Sequence, residues 1–379
     1  MPLTLLMSHS GVSTKQAIHL PGLNGLRALA ALSVLWGHVF QDDFGRWGNL
    51  HGGGFSLIAD GVTMFFVISG FLITYLLMKE LDRTDAVNIP KFYLRRVLRI
   101  CPIYYGYIIV AILFLYVTGS QCDILNRQLW YYLFFAANIP FITSNAILLI
   151  VHFWSIGVEE QFYLFWPWLV KYGRKHILKI AVGVCCLWLA CKYGILLIYG
   201  KCIAYRFFAV TRFDCMMIGA IGAILYHRKN RFFCKLFFNK YLSLAAWILL
   251  LASEFYCDYI PAPFRIQYIA VLSLVAIMSQ LAEKPFLINL ENRLFDFVGK
   301  ISYGIYVIHP ILIFIISRWY GQWGVTGSEI VQKTAIYLSI TLITIALAYV
   351  SYRFYEKPFL SLKRRFAVVQ SGNSLENKE

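Results

Sequence analysis

Charge is what this sequence has least of. Only 14% of its 379 residues are Asp, Glu, Lys or Arg, against about 25% in an ordinary soluble domain. So small a share cannot cover a water-facing surface, which excludes a soluble enzyme, a disordered chain and a disulfide-stapled secreted domain. None of the nine cysteines forms a CxxC pair, so no zinc site or dithiol redox centre is indicated and no metal is expected. A bridge between two of Cys122, Cys202 and Cys257, all placed near the outer face, is left open. No internal repeat, low-complexity tract or appended soluble domain is expected from the residues of this sequence. The first twenty residues also lack a signal peptide, because the apolar core Leu3–Met7 is too short and no cleavage site follows. The first span is therefore expected to remain as an anchor.

Apolar residues fill the place of charge. Hydrophobic types make up 59% of the chain and aromatics 17%, a composition suited to many lipid–water boundaries. A helical span needs about 20 mainly apolar residues. Runs of that kind occur near 23–40, 60–78, 100–118, 153–170, 177–199, 207–226, 241–257, 265–282, 297–317 and 331–352. The segment 129–150 is apolar too, but Asn138-Ile139-Pro140 and Ser144-Asn145 interrupt it, so it reads as re-entrant or interfacial. The expected fold is an all-α, polytopic membrane bundle of about ten transmembrane helices. It divides into a short segment 1–22, a transmembrane domain 23–360 and a polar tail 361–379.

The net charge of +16 is not a nucleic-acid signal once its placement is considered. With the amino terminus inside, the inner segments hold 25 of the 35 basic residues and the outer segments seven. That bias predicts both termini in the cytoplasm. Counting 129–150 as a full span would put the Arg228–Lys240 cluster outside, against the same rule.

Ionisable groups within the spans are costly and mark functional positions. Arg27 and His38 share the first span; eleven residues put them on nearly one face, about 16 Å apart. At about 1.5 Å per residue, His38, Glu159, Glu160, Arg212, Asp214 and His309 reach a similar depth, which predicts a polar cavity in the outer half. A histidine, with an ordinary pKa of about 6.5, is the natural base there. In FYLRRVLRICP, read as a cytoplasmic loop, Arg95, Arg96 and Arg99 offer guanidinium forks suited to phosphate. Taken alone, that cluster reads equally as a topology signal that binds lipid headgroups. Tyr303, Tyr306 and Glu356 read as packing or lid residues.

Seven motifs in order are similar to those of the acyltransferase-3 family of integral membrane O-acyltransferases: GLRALAALSVLWGH, GVTMFFVISGFLI, FYLRRVLRICPIYY, HFWSIGVEEQFYLFWP, RFDCMMIGAIGA, ISYGIYVIHP and YEKP. The resemblance covers about Leu23 to Leu360 and includes the family's Arg-x10-His as Arg27 and His38. It implies transfer of an acyl group, usually acetyl from acetyl-CoA, to a hydroxyl of a carbohydrate or lipid-linked glycan in the bacterial inner membrane. Arg27, His38, Glu159 and Glu160 are the implied catalytic residues, and Arg27, Arg95, Arg96 and Arg99 the expected contacts to the acyl-CoA donor. Ser69, Arg212, Asp214, Tyr306 and His309 are candidate supporting residues. One departure stands out: many members carry an acid where this chain has Thr63, with Asp60 a turn earlier as a substitute. Members with an extra hydrolase-like domain differ from this chain, which resembles the standalone type. Two other classes fit the composition: a transporter or exporter of a small polar or lipid-linked substrate, and a non-enzymatic assembly factor. The paired broken helices expected of many transporters are not evident in the sequence.

Overall fold

The computed structural model describes residues 18–47, 53–119, 122–256, 260–282, 288–323 and 329–366. Sixteen α-helices and no β-strand occur among them. The first three are α1 (Leu23–Trp47), α2 (Gly53–Thr84) and α3 (Ile89–Val117). Two short pieces, α4 (Cys122–Leu133) and α5 (Asn138–Ile142), lead to α6 (Phe153–Tyr172) and α7 (Ile177–Tyr199). Then come α8 (Ile203–Thr211), α9 (Phe213–His227), α10 (Arg231–Phe237), α11 (Lys240–Phe255) and α12 (Ala262–Gln280). The chain finishes with α13 (Arg293–Lys300), α14 (Ser302–Trp323), α15 (Glu329–Val350), a π-helical turn Ser351–Glu356 and α16 (Lys357–Arg365).

Seven stretches are long and apolar enough to cross a membrane, and nine when the bent pairs α10–α11 and α13–α14 each count as one. The expected tally of ten also includes α6, whose two glutamates reduce its apolarity. Large apolar side chains such as Leu187, Leu197 and Ile198 on α7 and Leu338 and Leu342 on α15 are exposed, as lipid-facing surfaces require. The interruption foreseen in 129–150 is present: α4 ends at Leu133, and only the five-residue α5 precedes α6. Gln161 fastens that broken stretch through Phe135 O at 3.0 Å and Asn138 Oδ1 at 2.8 Å. Most of the segment 1–22 and of the tail 361–379, together with the side chains of Cys122 and Cys257, lie outside the described residues. Cys202 is a free thiol.

One local expectation needs correcting. FYLRRVLRICP is not a loop: it forms the early turns of α3, because the Asn88 side chain caps Lys91 N at 3.0 Å and Pro90 fits the first turn. The span expected at 207–226 falls within one apolar stretch, Ile203–His227, with a local interruption at Arg212, which adopts a left-handed conformation (φ 45°) between α8 and α9. Arg95, Arg174 and His227 pair with Glu80, Asp85 and Asp82 and tie α2, α3, α6 and α9 together at one end, the basic end.

The centre of the bundle is α1 and α2, with α9 against the other side of α2. Leu26, Val34, Leu35, Phe66, Val67 and Phe71 are fully buried there. Backbones touch where α2 crosses α9: a Cβ on Gly70 would strike Met216 O, and one on Gly219 would strike Val67 O. Small residues permit this approach in the absence of a hydrophobic drive between helices. Gly219→Ala is expected to destabilise the bundle by about 1–3 kcal/mol, seen as a lower thermal midpoint in detergent. An unchanged midpoint would mean that α2 and α9 do not pack this closely.

Candidate active site

Helical spacing decides which side chains meet. Ser155, Glu159 and Tyr163 recur every fourth residue of α6, so they share one face, and all three line a cavity of about 80 Å³. Ser69 of α2, Arg27 of α1, Arg96 and Arg99 of α3, and Tyr303 and Tyr306 of α14 complete its polar wall. The apolar share comes from residues such as Phe65, Phe66 and Ile156. A polar space of this size has room for several waters, since each needs roughly 10–15 Å³.

Glu159 anchors the middle of the cavity. Ser69 Oγ donates to its Oε1 at 2.9 Å and Tyr163 OH to its Oε2 at 3.2 Å. Arg27, Arg96 and Arg99 are cations that act on it. Arg96 also lies 4.9 Å from the centre of the Tyr163 ring. Ser69 is therefore committed to Glu159.

The two ends of the cavity differ. Towards the basic end stand Arg27, Arg96 and Arg99. Towards the other end Tyr306 OH meets Ser155 Oγ and donates to His152 O at 2.9 Å. Beyond Tyr306 lies a group of three imidazoles. His309 is fully buried, with its ring centre 5.3 Å from that of His152 and 4.9 Å from that of His38.

Hydrogen bonding fixes the protons of this group. His309 Nδ1 contacts Ile305 O at 3.2 Å and His38 Nδ1 contacts Val34 O at 2.9 Å. A carbonyl oxygen only accepts, so in the neutral rings both Nδ1 atoms carry hydrogen. The 3.2 Å contact of His38 Nδ1 with His309 Nε2 then runs from His38 as donor to His309 as acceptor. His38 is left with a basic lone pair on Nε2, the arrangement a proton acceptor requires.

The residues predicted from sequence thus separate into groups. Arg27, Arg96, Arg99, Glu159, Ser69 and Tyr306 share the cavity; His38 and His309 form a pair just past it. His38 is not among the residues that line the cavity holding Glu159. Glu160 is absent from the cavity wall because consecutive helical residues point about 100° apart; its Oε1 is buried without a hydrogen-bond partner. Arg95 points away from the cavity for the same reason, pairing with Glu80 at 3.0 Å and donating to Phe366 O at 3.1 Å.

Arg212 and Asp214 belong elsewhere. Arg212 Nη1 donates to Thr63 Oγ1 at 2.9 Å and to Ala59 O at 3.1 Å, joining α9 to α2. Asp214 Oδ2 accepts from Gln267 Nε2 of α12 at 2.6 Å. Thr63 therefore receives the arginine without an acid, and Asp60 is paired with Arg265 at 2.8 Å instead of replacing one. Tyr163, Ser155 and His152 were not singled out in the sequence. The four-residue spacing around Glu159 was the available signal for the first two; for His152 it was its place at the head of the HFWSIGVEEQ motif.

A family model described as an acyltransferase domain matches residues 20–353. A Staphylococcus aureus (strain COL) protein provisionally named an O-acetyltransferase is 29% identical over 376 residues, covering 91% of this chain and 58% of that protein. The O-acetyltransferase OatA of Staphylococcus aureus (strain NCTC 8325) is 28% identical over 371 residues, covering 90% of this chain and 57% of OatA. The chain thus spans a little over half the length of these relatives. No solved structure matches it.

Proposed function

The chain belongs to the acyltransferase-3 family, and from that premise we propose that it is a membrane O-acetyltransferase. In this reading it moves an acetyl or related acyl group from acyl-CoA to a hydroxyl of a carbohydrate or lipid-linked glycan, such as an O-antigen, capsule or exopolysaccharide unit. It works in the bacterial inner membrane, with about ten spans and both termini in the cytoplasm. The observation that carries the reading is a cavity that holds three arginines and Glu159, with a histidine pair beyond Tyr306.

The donor enters at the basic end. Arg27, Arg96 and Arg99 hold its phosphates, and its narrow arm follows the cavity past Glu159. Tyr306 closes the far end and must give way for the thioester to approach His38. The acceptor hydroxyl then attacks the thioester carbonyl carbon while His38 Nε2 takes its proton. The carbon–sulfur bond breaks, and the departing thiolate recovers that proton from His38. The products are the acetyl ester and free CoA. Glu159, near Arg27 and Arg96, keeps those guanidinium groups oriented along the arm.

The test is purified protein in lipid nanodiscs with radiolabelled acetyl-CoA and a lipid-linked glycan. The expected result is label in an alkali-labile ester, with free CoA released in equal amount and no ion gradient needed. Sugar flux without acyl turnover would overturn the reading in favour of transport. In cells, deletion should remove O-acetyl signals from the NMR spectrum of the surface glycan.

A further inference from the structure

Attack on a thioester carbonyl places negative charge on its oxygen, and a hydrogen-bond donor already held nearby lowers that barrier. Most hydroxyls of the cavity wall are spent elsewhere. Ser69 and Tyr163 donate to Glu159 at 2.9 and 3.2 Å, and Tyr303 donates to Ile100 O at 3.3 Å. Tyr306 and Ser155 differ from these in sharing one acceptor. Tyr306 OH donates to His152 O at 2.9 Å, and Ser155 Oγ reaches the same oxygen at 3.2 Å. The two hydroxyl oxygens lie 2.5 Å apart.

An acceptor with two donors can release one of them. A buried carbonyl is costly to leave unpaired, and His152 is buried. When Tyr306 turns away, Ser155 still serves His152 O, so the phenol can change acceptor without orphaning the one it leaves. Its position suits that change. Tyr306 lines the cavity that holds Glu159 and lies one turn before His309 on α14, their ring centres 5.9 Å apart. His309 Nε2 is in turn 3.2 Å from His38 Nδ1. The phenol therefore belongs to the cavity wall and adjoins the histidine pair. Phe65 packs edge-on against its ring, with centres 5.9 Å apart. Apolar surroundings of this kind strengthen a hydrogen bond to a growing charge.

We infer that Tyr306 is the oxyanion donor of the acetyl transfer: its hydroxyl exchanges His152 O for the thioester carbonyl oxygen, and Ser155 takes over His152 O. As the acceptor hydroxyl attacks, the carbonyl π electrons move onto oxygen. Tyr306 donates a hydrogen bond to that oxygen and keeps its own proton. When the carbon–oxygen double bond re-forms, the carbon–sulfur bond breaks and Tyr306 returns to His152 O. The inference rests on the proposed transfer from acetyl-CoA.

The experiment uses the full chain in nanodiscs with acetyl-CoA and the lipid-linked glycan. Tyr306→Phe keeps the ring and removes only the hydroxyl. Its kcat is expected to fall about 10²–10³-fold, with KM for acetyl-CoA within about threefold. Ser155→Ala keeps the phenol but leaves His152 O unserved whenever Tyr306 turns, so a smaller loss of about tenfold in kcat is expected. A spectroscopic readout separates this role from packing: the infrared carbonyl stretch of bound acetyl-CoA, isotope-labelled at the carbonyl carbon. It is recorded in His38→Ala, where no proton acceptor drives transfer. The stretch should lie at lower frequency in His38→Ala than in His38→Ala combined with Tyr306→Phe, and adding Ser155→Ala instead should leave it low. An undiminished kcat in Tyr306→Phe, or one stretch with and without the phenol, overturns the inference and leaves the acetyl-transfer reading standing. A stretch that rises only with Ser155→Ala makes Ser155 the donor and overturns it equally. Failure of wild type to consume acetyl-CoA would sink the acetyl-transfer reading and this inference together.

Discussion

Replacing His38 with alanine should lower acetyl transfer by about 10²–10⁴-fold, the usual contribution of a positioned general base, with little change in stability. The geometry explains why the loss falls on kcat. His38 Nδ1 is occupied by Val34 O at 2.9 Å and His309 Nε2 at 3.2 Å, so only Nε2 remains to accept a proton. None of the three basic-end cavity arginines is disturbed, and KM for the donor should stay within a few-fold. His309→Gln gives a graded comparison. It keeps a group able to accept from His38 but loses the fixed ring, and about a tenfold loss in kcat is expected. Because His309 acts through His38, its variant should also move the acid limb of the pH–rate profile, a change that mere packing damage would not produce. Mixing wild type with labelled acetyl-CoA in the absence of acceptor separates two chemistries. Label trapped on His38 indicates an acetyl-histidine relay, and its absence indicates direct transfer. A His38→Ala variant with undiminished turnover would remove the base from the scheme.

Much of the bundle was legible because lipid imposes one requirement on every span: an apolar run long enough to satisfy its own backbone. The interrupted stretch 129–150 was legible for the same reason, since Asn138, Pro140 and the Ser144-Asn145 step cannot continue a buried helix unaided. Helix ends and breaks were harder. The start of α3 depends on the Asn88 cap, and the break at Arg212 depends on bonds to Thr63 and Ala59 on a distant helix. Neither leaves a trace in local apolarity.

The site was partly legible. Depth arithmetic brought His38 and His309 to one level, and the structure puts them 3.2 Å apart. The same arithmetic grouped Arg212 and Asp214 with them, yet depth says nothing about direction around a helix axis. Arg212 turns towards α2 and Asp214 towards α12. Direction also separates Glu159 from Glu160 and Arg96 from Arg95, pairs of neighbours that sequence treated alike. Periodicity could have made those distinctions, because Ser155, Glu159 and Tyr163 already mark the inward face of α6.

Arg27→Ala tests the other end of the cavity, and its effect should fall on the donor. A guanidinium that makes charge-assisted hydrogen bonds contributes about 1.5–3 kcal/mol, which corresponds to a KM for acetyl-CoA raised about 10–100-fold. Arg27 is placed for this. It lies in the early turns of α1, lines the cavity with Arg96 and Arg99, and is one of the cations acting on Glu159. Losing it removes one of the cations acting on Glu159, so some loss of kcat should accompany the change in KM. Arg27→Lys should restore charge but not the planar fork, and recover only part of the affinity. The pair Arg27→Ala and Glu159→Gln, measured singly and together, reads their coupling directly. If they act as a unit along the donor arm, the double variant will be hardly worse than the weaker single one. Fully additive losses would mean that the two side chains serve separate parts of the reaction, with Glu159 working on something other than the orientation of Arg27.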